Sequence, residues 1–508
     1  MSSPSNLFLR FRQTFAGRAD SICLTTDRGR DIPFAEIDDV TARLARRLRE
    51  HGVVPGDRVT VQVDKSPEAL FLYLACLRAG AVYMPLNAGY TLDELDYFLG
   101  DAEPRVVVCS PSAAADITGL AAKVGCRSVL TLDADGGGSL TRGLAAVTAD
   151  PAVVEAAADD VAAMLYTSGT TGRSKGALLT HRGLLSNAEV LTREWGFTAA
   201  DVLVHALPIF HVHGLFVACG CAFLSGARIL FHSGFDAGRV VADFARASVF
   251  MGVPTHYTRL LADPGLTRQA TAGMRLFVSG SAPLQPDTFH DFHHRTGHVI
   301  LERYGMTETG MNTSNPLSGE RRVGTVGFAL PGIELRIADD AGKPVPLGEV
   351  GVIEVRGPNL LKGYWRNPGK TREAFRGDGF FITGDLAEED ADGYIRIVGR
   401  VSDMIISGGY NVYPKEIETI IDDLEGVAES AVIGVPHPDF GEGVVAVVRP
   451  RQGHAPPTAD DIAALLRGRL AAFKVPKKIL FVDDLPRNAM GKVVKAELRK
   501  RYGTLFKS

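Results

Sequence analysis

Residues 166–176, Tyr-Thr-Ser-Gly-Thr-Thr-Gly-Arg-Ser-Lys-Gly, gather hydroxyls, glycines and a cation directly behind the apolar run 161–165. Glycines let backbone N–H groups approach anionic oxygens closely, hydroxyls add donors, and Lys175 adds positive charge. The chemistry this mixture suits is the grip of a polyphosphate. It is not a Walker loop, which needs Gly-x-x-x-x-Gly-Lys-Ser/Thr opening a helix; here Lys175 follows the second glycine by three positions. Glu308, within residues 304–309 (Tyr-Gly-Met-Thr-Glu-Thr), offers the hard carboxylate oxygen that Mg²⁺ prefers beside phosphates. A second cluster, His211 and His213 followed by Cys219 and Cys221, lacks the usual metal-ligand spacing, and its cysteines lie in an apolar run where buried thiols are expected.

These residues must be held by alternating elements. Apolar runs at 58–63 and 81–85 flank a helical pattern at 67–79, and such alternation argues for parallel sheets covered by helices. After about residue 400 the character changes. Helical spacing at 414–424, strand-like runs at 430–435 and 444–448 and a helical pattern at 459–470 predict a compact α+β unit. Residues 133–158, rich in Ala and Gly, read as loop and surface helix.

The 508 residues are about twice what one hydrophobic core supports, so at least two domains are expected. With 55 basic against 59 acidic residues, net charge −4, nothing suggests nucleic-acid binding. The longest apolar runs, such as 215–224, fall short of the roughly 20 residues a membrane span needs. Residues 1–20 lack a signal-peptide core with a cleavage site, and six scattered cysteines suit a reducing compartment; a cytoplasmic location is expected.

The run 166–176 resembles the phosphate loop of the adenylate-forming superfamily: acyl-CoA synthetases, nonribosomal adenylation domains and luciferases. Further signatures follow in that family's order. Residues 304–309 resemble the segment beside adenine, with Thr307 near the α-phosphate and Glu308 on Mg²⁺. Residues 279–283 (Ser-Gly-Ser-Ala-Pro) resemble the loop beside the adenylate. Residues 381–386 (Phe-Ile-Thr-Gly-Asp-Leu) resemble the ribose-binding motif, and Gly399-Arg400 the ribose arginine that opens the hinge. The resemblance implies an α/β fold with a large N-terminal domain of layered sheets (1–399) and a small β-barrel-like subdomain, a hinge at 400–402, and a small mobile α+β domain (403–508). The hinge position that is commonly Asp or Lys is Ser402 here.

By the same resemblance ATP and AMP contact Thr167, Ser168, Gly169, Thr170, Thr171, Lys175, Ser279, Gly280, Ser281, Ala282, Glu302, Arg303, Tyr304, Gly305, Met306, Thr307, Asp385, Arg400 and Lys492, while Mg²⁺ is held by Glu308 and Thr167. Lys492 resembles the lysine that supports adenylation, where an ammonium between two anions stabilises developing charge. With Thr167 and Glu308 it makes up the expected catalytic set. The small domain then rotates, and Ser407, Gly408, Gly409 and Tyr410 line the CoA tunnel. A lysine acetyltransferase acting on Lys492 is an implied partner; loss of the charge stops adenylation and spares thioester formation.

Arg303 occupies the position before the Tyr-Gly of the adenine motif, where many relatives carry a small residue facing the acyl group. A buried arginine there costs several kcal/mol without an anionic partner, and a dicarboxylic acid supplies one. Together with residues 210–214 and 311–314, this segment resembles malonyl-CoA synthetases. That implies Arg259, Arg303, Ser281 and His213 around the free carboxylate and His211 at the pocket entrance. The expected reaction is malonate plus ATP and CoA giving malonyl-CoA, AMP and pyrophosphate. Alternatives are a synthetase for methylmalonate, oxalate or acetate, and a free-standing adenylation enzyme loading a carrier protein.

Overall fold

The computed structural model describes residues 6–167, 174–488 and 491–506. Two large sheets carry the first part of the chain. In the seven-stranded sheet, Val161–Thr167, Val82–Pro85, Arg58–Gln62, Val106–Cys109 and Ser128–Thr131 run parallel in that order. Lys175–Thr180 pairs antiparallel with Val161–Thr167. The nine-stranded sheet sets Leu301–Met306, Leu276–Ser279, Val249–Gly252, Val202–His205 and Arg228–Phe231 side by side, all parallel. Parallel strands open their C-terminal ends to one edge, where α/β proteins place ligands.

The covering elements follow from local sequence. Helix Pro67–Ala79 starts where the Ser66 hydroxyl accepts from Ala69 N, carries Pro at its first position, and ends at Gly80 in the left-handed region. Its residues from Ala69 to Ala79 are buried all round, so the helix is a core element without a solvent face. One apolar core joins it to both sheets.

Glu334–Ala338, Gly351–Arg356, Phe381–Glu389 and Ile395–Arg400 form an open antiparallel sheet, the counterpart of the subdomain expected to be barrel-like. The chain then makes a short 3₁₀ turn, Val401–Asp403, with Ser402 exposed. A five-stranded sheet follows, built on the long pair Val427–His437 and Gly441–Pro450 with its own two core clusters. Those strands outrun the apolar runs 430–435 and 444–448, because ladder pairing continues past the buried positions into Arg449 and His437.

Candidate active site

Strand Val161–Thr167 brings Thr167 to the sheet edge, where its hydroxyl donates to Glu308 Oε1 at 2.9 Å. Tyr364, from the short strand Gly363–Tyr364, donates to the same oxygen at 3.2 Å. The Lys175 ammonium stands 4.8 Å from the centre of the Tyr364 ring. Glu308 is thus a buried carboxylate with one oxygen fixed by two hydroxyls. Hard oxygens beside a lysine fit a Mg²⁺–polyphosphate. Ser168, Gly169, Thr170 and Thr171 lie outside the described residues.

The antiparallel register aligns Asp385 directly with Arg400. Arg400 Nε lies 2.6 Å from Asp385 Oδ1, and Tyr304 Oη donates to Asp385 Oδ2 at 2.6 Å. Both oxygens are fixed, yet a carboxylate offers about four lone-pair directions, so each can still accept from a diol. Lys492 comes from the small domain and lies close enough to these groups to feel their charges. Burial foremost, then Arg400, lowers its pKa, against the opposing pull of Asp385 and Asp403. Small- and large-domain side chains also meet where Gln285 Nε2 donates to Asp422 Oδ2 at 3.0 Å and Arg451 pairs with Asp287 at 2.9 Å. Asp422 at this boundary is pushed up to about 7 by burial.

Arg303 is the central group of a second, drier cluster. It is 3% exposed, and its Nε and Nη2 find no hydrogen-bond partner among the described residues. Burial pushes the guanidinium down to about 9, which leaves it charged at neutral pH. Gly280 makes the space: a Cβ there would stand 2.5 Å from Arg303 Cζ. Ser281 next to it has φ +72, a non-glycine residue in the left-handed region. Its hydroxyl meets His213 Nδ1 at 3.3 Å, and His213 Nε2 also lacks a partner among the described residues. His213 opens a π-helical segment, His213–Ala218, a distortion that often marks functional positions. Burial and Arg303 hold His211, at about 4, and His213 as neutral rings. A cationic donor, a neutral imidazole and a hydroxyl, buried or half-buried and partly unsatisfied among the described residues, can receive a carboxylate.

The other expected residues are distributed less compactly. Ser279 is buried, and Ala282, Gly305, Met306 and Thr307 are half-buried around the same strand ends. Strand alternation sends Glu302 to the face opposite Arg303, where it accepts from Gly324 N at 3.3 Å and burial pushes its carboxyl up to about 8. Arg259 stands exposed on helix Pro254–Ala262, close enough to the buried His256 that its charge helps lower that imidazole's pKa after burial. His256 and Tyr257 on the same helix are buried. Ser407 is buried, but Gly408, Gly409 and Tyr410 are exposed, and the Tyr410 ring stacks on Phe473 with centres 4.6 Å apart.

Sequence reasoning missed Tyr364, whose approach to Glu308 depends on the pairing of Gly363 with Leu178, a register no local pattern announces. It also missed Lys65. That amine donates to His205 O at 2.9 Å, meets His205 Nδ1 at 2.9 Å, and is lowered to about 7 by burial. Lys65 lines a cavity of about 380 Å³ together with Asn87, Phe210, Phe235 and His256. The cysteines beside the histidine pair are buried, and Cys219 Sγ faces His205 Nε2 at 3.5 Å.

Comparison with known proteins agrees with this geometry. A family model described as AMP-binding enzyme matches residues 11–365, and one described as AMP-binding enzyme C-terminal domain matches 416–492. The chain is 38% identical to a feruloyl-CoA synthase from Amycolatopsis sp, over 94% of this chain and 95% of the relative. It is 34% identical to a malonate–CoA ligase from Arabidopsis thaliana, over 91% of this chain and 81% of the relative. Among solved structures, MatB from Rhodopseudomonas palustris is 53% identical and covered over 99% of this chain and 100% of its own. The TM-score is 0.97 with its ATP-bound crystal structure and 0.85 with its apo structure.

Proposed function

The chain belongs to the AMP-binding enzyme family, and on that premise we propose that it joins malonate to coenzyme A with ATP, by way of malonyl-AMP, releasing AMP and pyrophosphate. The observation that carries the choice of acid is the buried Arg303 guanidinium with two unpartnered nitrogens. A monoacid leaves that charge uncompensated, whereas the distal carboxylate of malonate pairs with it and accepts from His213 Nε2–H, whose Nδ1 accepts from Ser281.

The residues take the following parts. Thr167, Ser168, Gly169, Thr170, Thr171 and Lys175 hold the phosphates. Glu308, with Thr167 beside it, would hold Mg²⁺, which when bound neutralises phosphate charge. Asp385 and Arg400 hold the ribose hydroxyls. No general base is required, because the attacking carboxylate is already ionised at neutral pH. Its oxygen bonds to the α-phosphorus while the bond to the β-phosphate bridging oxygen breaks, and Lys492 lies between the anions that this brings together. The CoA thiol then attacks the acyl carbon and AMP departs.

Two half-reactions at one centre call for rearrangement, since CoA must enter where pyrophosphate has left. We place the hinge at 400–402, between the domains 1–399 and 403–508. Rotation there withdraws Lys492 and brings Ser407, Gly408, Gly409 and Tyr410 toward the site. The arrangement described is the one suited to the first half-reaction, in keeping with the higher similarity to an ATP-bound relative. The cavity that includes His256 and Lys65 is the route we assign to the thiol. No helix among the described residues is long and apolar enough to cross a membrane. Six buried free cysteines support a reducing, cytosolic setting. Acetylation of Lys492 by a lysine acetyltransferase would remove the charge that the first step uses.

Thioester formation measured with malonate, methylmalonate, oxalate, succinate and acetate tests the reading through kcat/KM. Malonate is expected to lead by orders of magnitude; acetate leading would overturn the role given to Arg303.

A further inference from the structure

Lys492 reaches the large domain on a tight turn. Gly491 N donates to Asn488 O at 2.8 Å, Lys492 N donates to Asn488 Oδ1 at 3.0 Å, and Arg487 Nη1 donates to Gly491 O at 2.8 Å. An ion pair of Arg487 with Glu429 ties the turn to the small domain's sheet. Gly491 sits against the large domain. Gly491 has φ +74, and a Cβ built there would lie 2.8 Å from both Cγ2 and Oγ1 of Thr255. Gly491 therefore closes on the Thr255 side chain with no room for one more carbon. Thr255 is β-branched and stiff at χ1, so it does not swing aside as a long side chain would. It is also the second residue of helix Pro254–Ala262, whose next residue is His256 of the thiol cavity.

We propose that Thr255 is a positioning residue for adenylation: its side chain is the stop against which the Gly491 turn comes to rest, and this fixes how far Lys492 enters. The inference rests on the two-step reading above. Thr255 does not touch the reacting atoms; it acts through the turn. A stop of this kind matters only while the small domain presents Lys492, so its loss should divide the two half-reactions. Thr255→Val keeps the shape and loses only the hydroxyl. Thr255→Leu extends carbon into the space Gly491 occupies. Gly491→Ala makes the same collision from the other side, and Thr255→Ala in that background removes it.

The experiment uses the full chain with malonate-dependent ATP–pyrophosphate exchange for the first step and transfer from preformed malonyl-AMP to CoA for the second. Expected results are exchange lowered at least about 30-fold in Thr255→Leu with transfer within about threefold of wild type, and both steps within about threefold in Thr255→Val. Gly491→Ala should regain part of its lost exchange when Thr255→Ala is added, beyond what backbone strain at φ +74 leaves behind. Equal losses in both steps, loss in transfer alone, no loss in Thr255→Leu, or no recovery in the double variant would each overturn the proposal. Wild-type chain that fails to exchange with malonate but exchanges with another acid would count against the choice of acid only, and the Thr255 comparison would then be read with that acid.

Discussion

Replacing Arg303 by methionine keeps most of the side-chain volume and removes the charge. In the free protein the guanidinium is 3% exposed, its Nε and Nη2 lack partners among the described residues, and no described carboxylate pairs with it. In the complex the malonate carboxylate offsets it. Truncating one partner of a buried, hydrogen-bonded charge pair costs about 2–5 kcal/mol, so kcat/KM for malonate should fall by about 30- to 5,000-fold. Removing an unpaired buried charge from the free protein is instead neutral or favourable, by about 0–4 kcal/mol. Thermal unfolding of Arg303→Met without ligand should therefore occur at the wild-type temperature or above it. Saturating malonate should raise the wild-type midpoint and leave the variant unmoved. Initial rates with malonate and propionate complete the assay, and the variant should prefer the monoacid. Unchanged kinetics on malonate, or a lower melting temperature of the free variant, would refute the reasoning, because either would mean that Arg303 is neutralised by the protein itself.

Lys492→Ala should lower pyrophosphate exchange by about 10²- to 10⁴-fold and leave transfer from malonyl-AMP nearly intact, measured side by side. Because burial and Arg400 lower the Lys492 pKa, the wild-type first step should lose rate on the alkaline side sooner than an ordinary lysine would allow; Lys492→Arg should keep whatever rate it has to higher pH. Glu308→Gln preserves shape without charge, and a Mg²⁺ titration of exchange should show its half-saturation point raised at least about tenfold. Glu302, raised to about 8 by burial, contributes stability that is fully present below its unfolded value near 4.5 and is lost as pH rises through 8. Urea unfolding at pH 5.5 and 8.5 should show a decline of up to a few kcal/mol in wild type and a flatter profile in Glu302→Gln.

Local chemistry was legible wherever the sequence carries its own punctuation. Ser66, Pro67 and Gly80 mark both ends of a helix whose observed bounds match the expectation. Strand 161–165 ahead of residues 166–176 was likewise readable, whereas the alignment of Asp385 with Arg400 comes from antiparallel register. Positions set by long-range pairing were not. Tyr364 reaches Glu308 only through an antiparallel partner almost two hundred residues earlier in the chain. Nor could spacing reveal which face the small domain presents. That depends on side chains such as Gln285, Asp287, Asp422 and Arg451, each unremarkable alone and meaningful only across the domain boundary.

Gly280 sets a limit on molecular length. A methyl group there would lie 2.5 Å from Arg303 Cζ, roughly 1 Å inside ordinary contact, so the guanidinium would have to shift by about that much. A C–C bond is about 1.5 Å, so this single hydrogen-to-methyl exchange displaces the charge by most of one bond. The glycine thus acts as the zero mark of a ruler. Gly280→Ala should change the preference among oxalate, malonate and succinate without altering any group that carries charge.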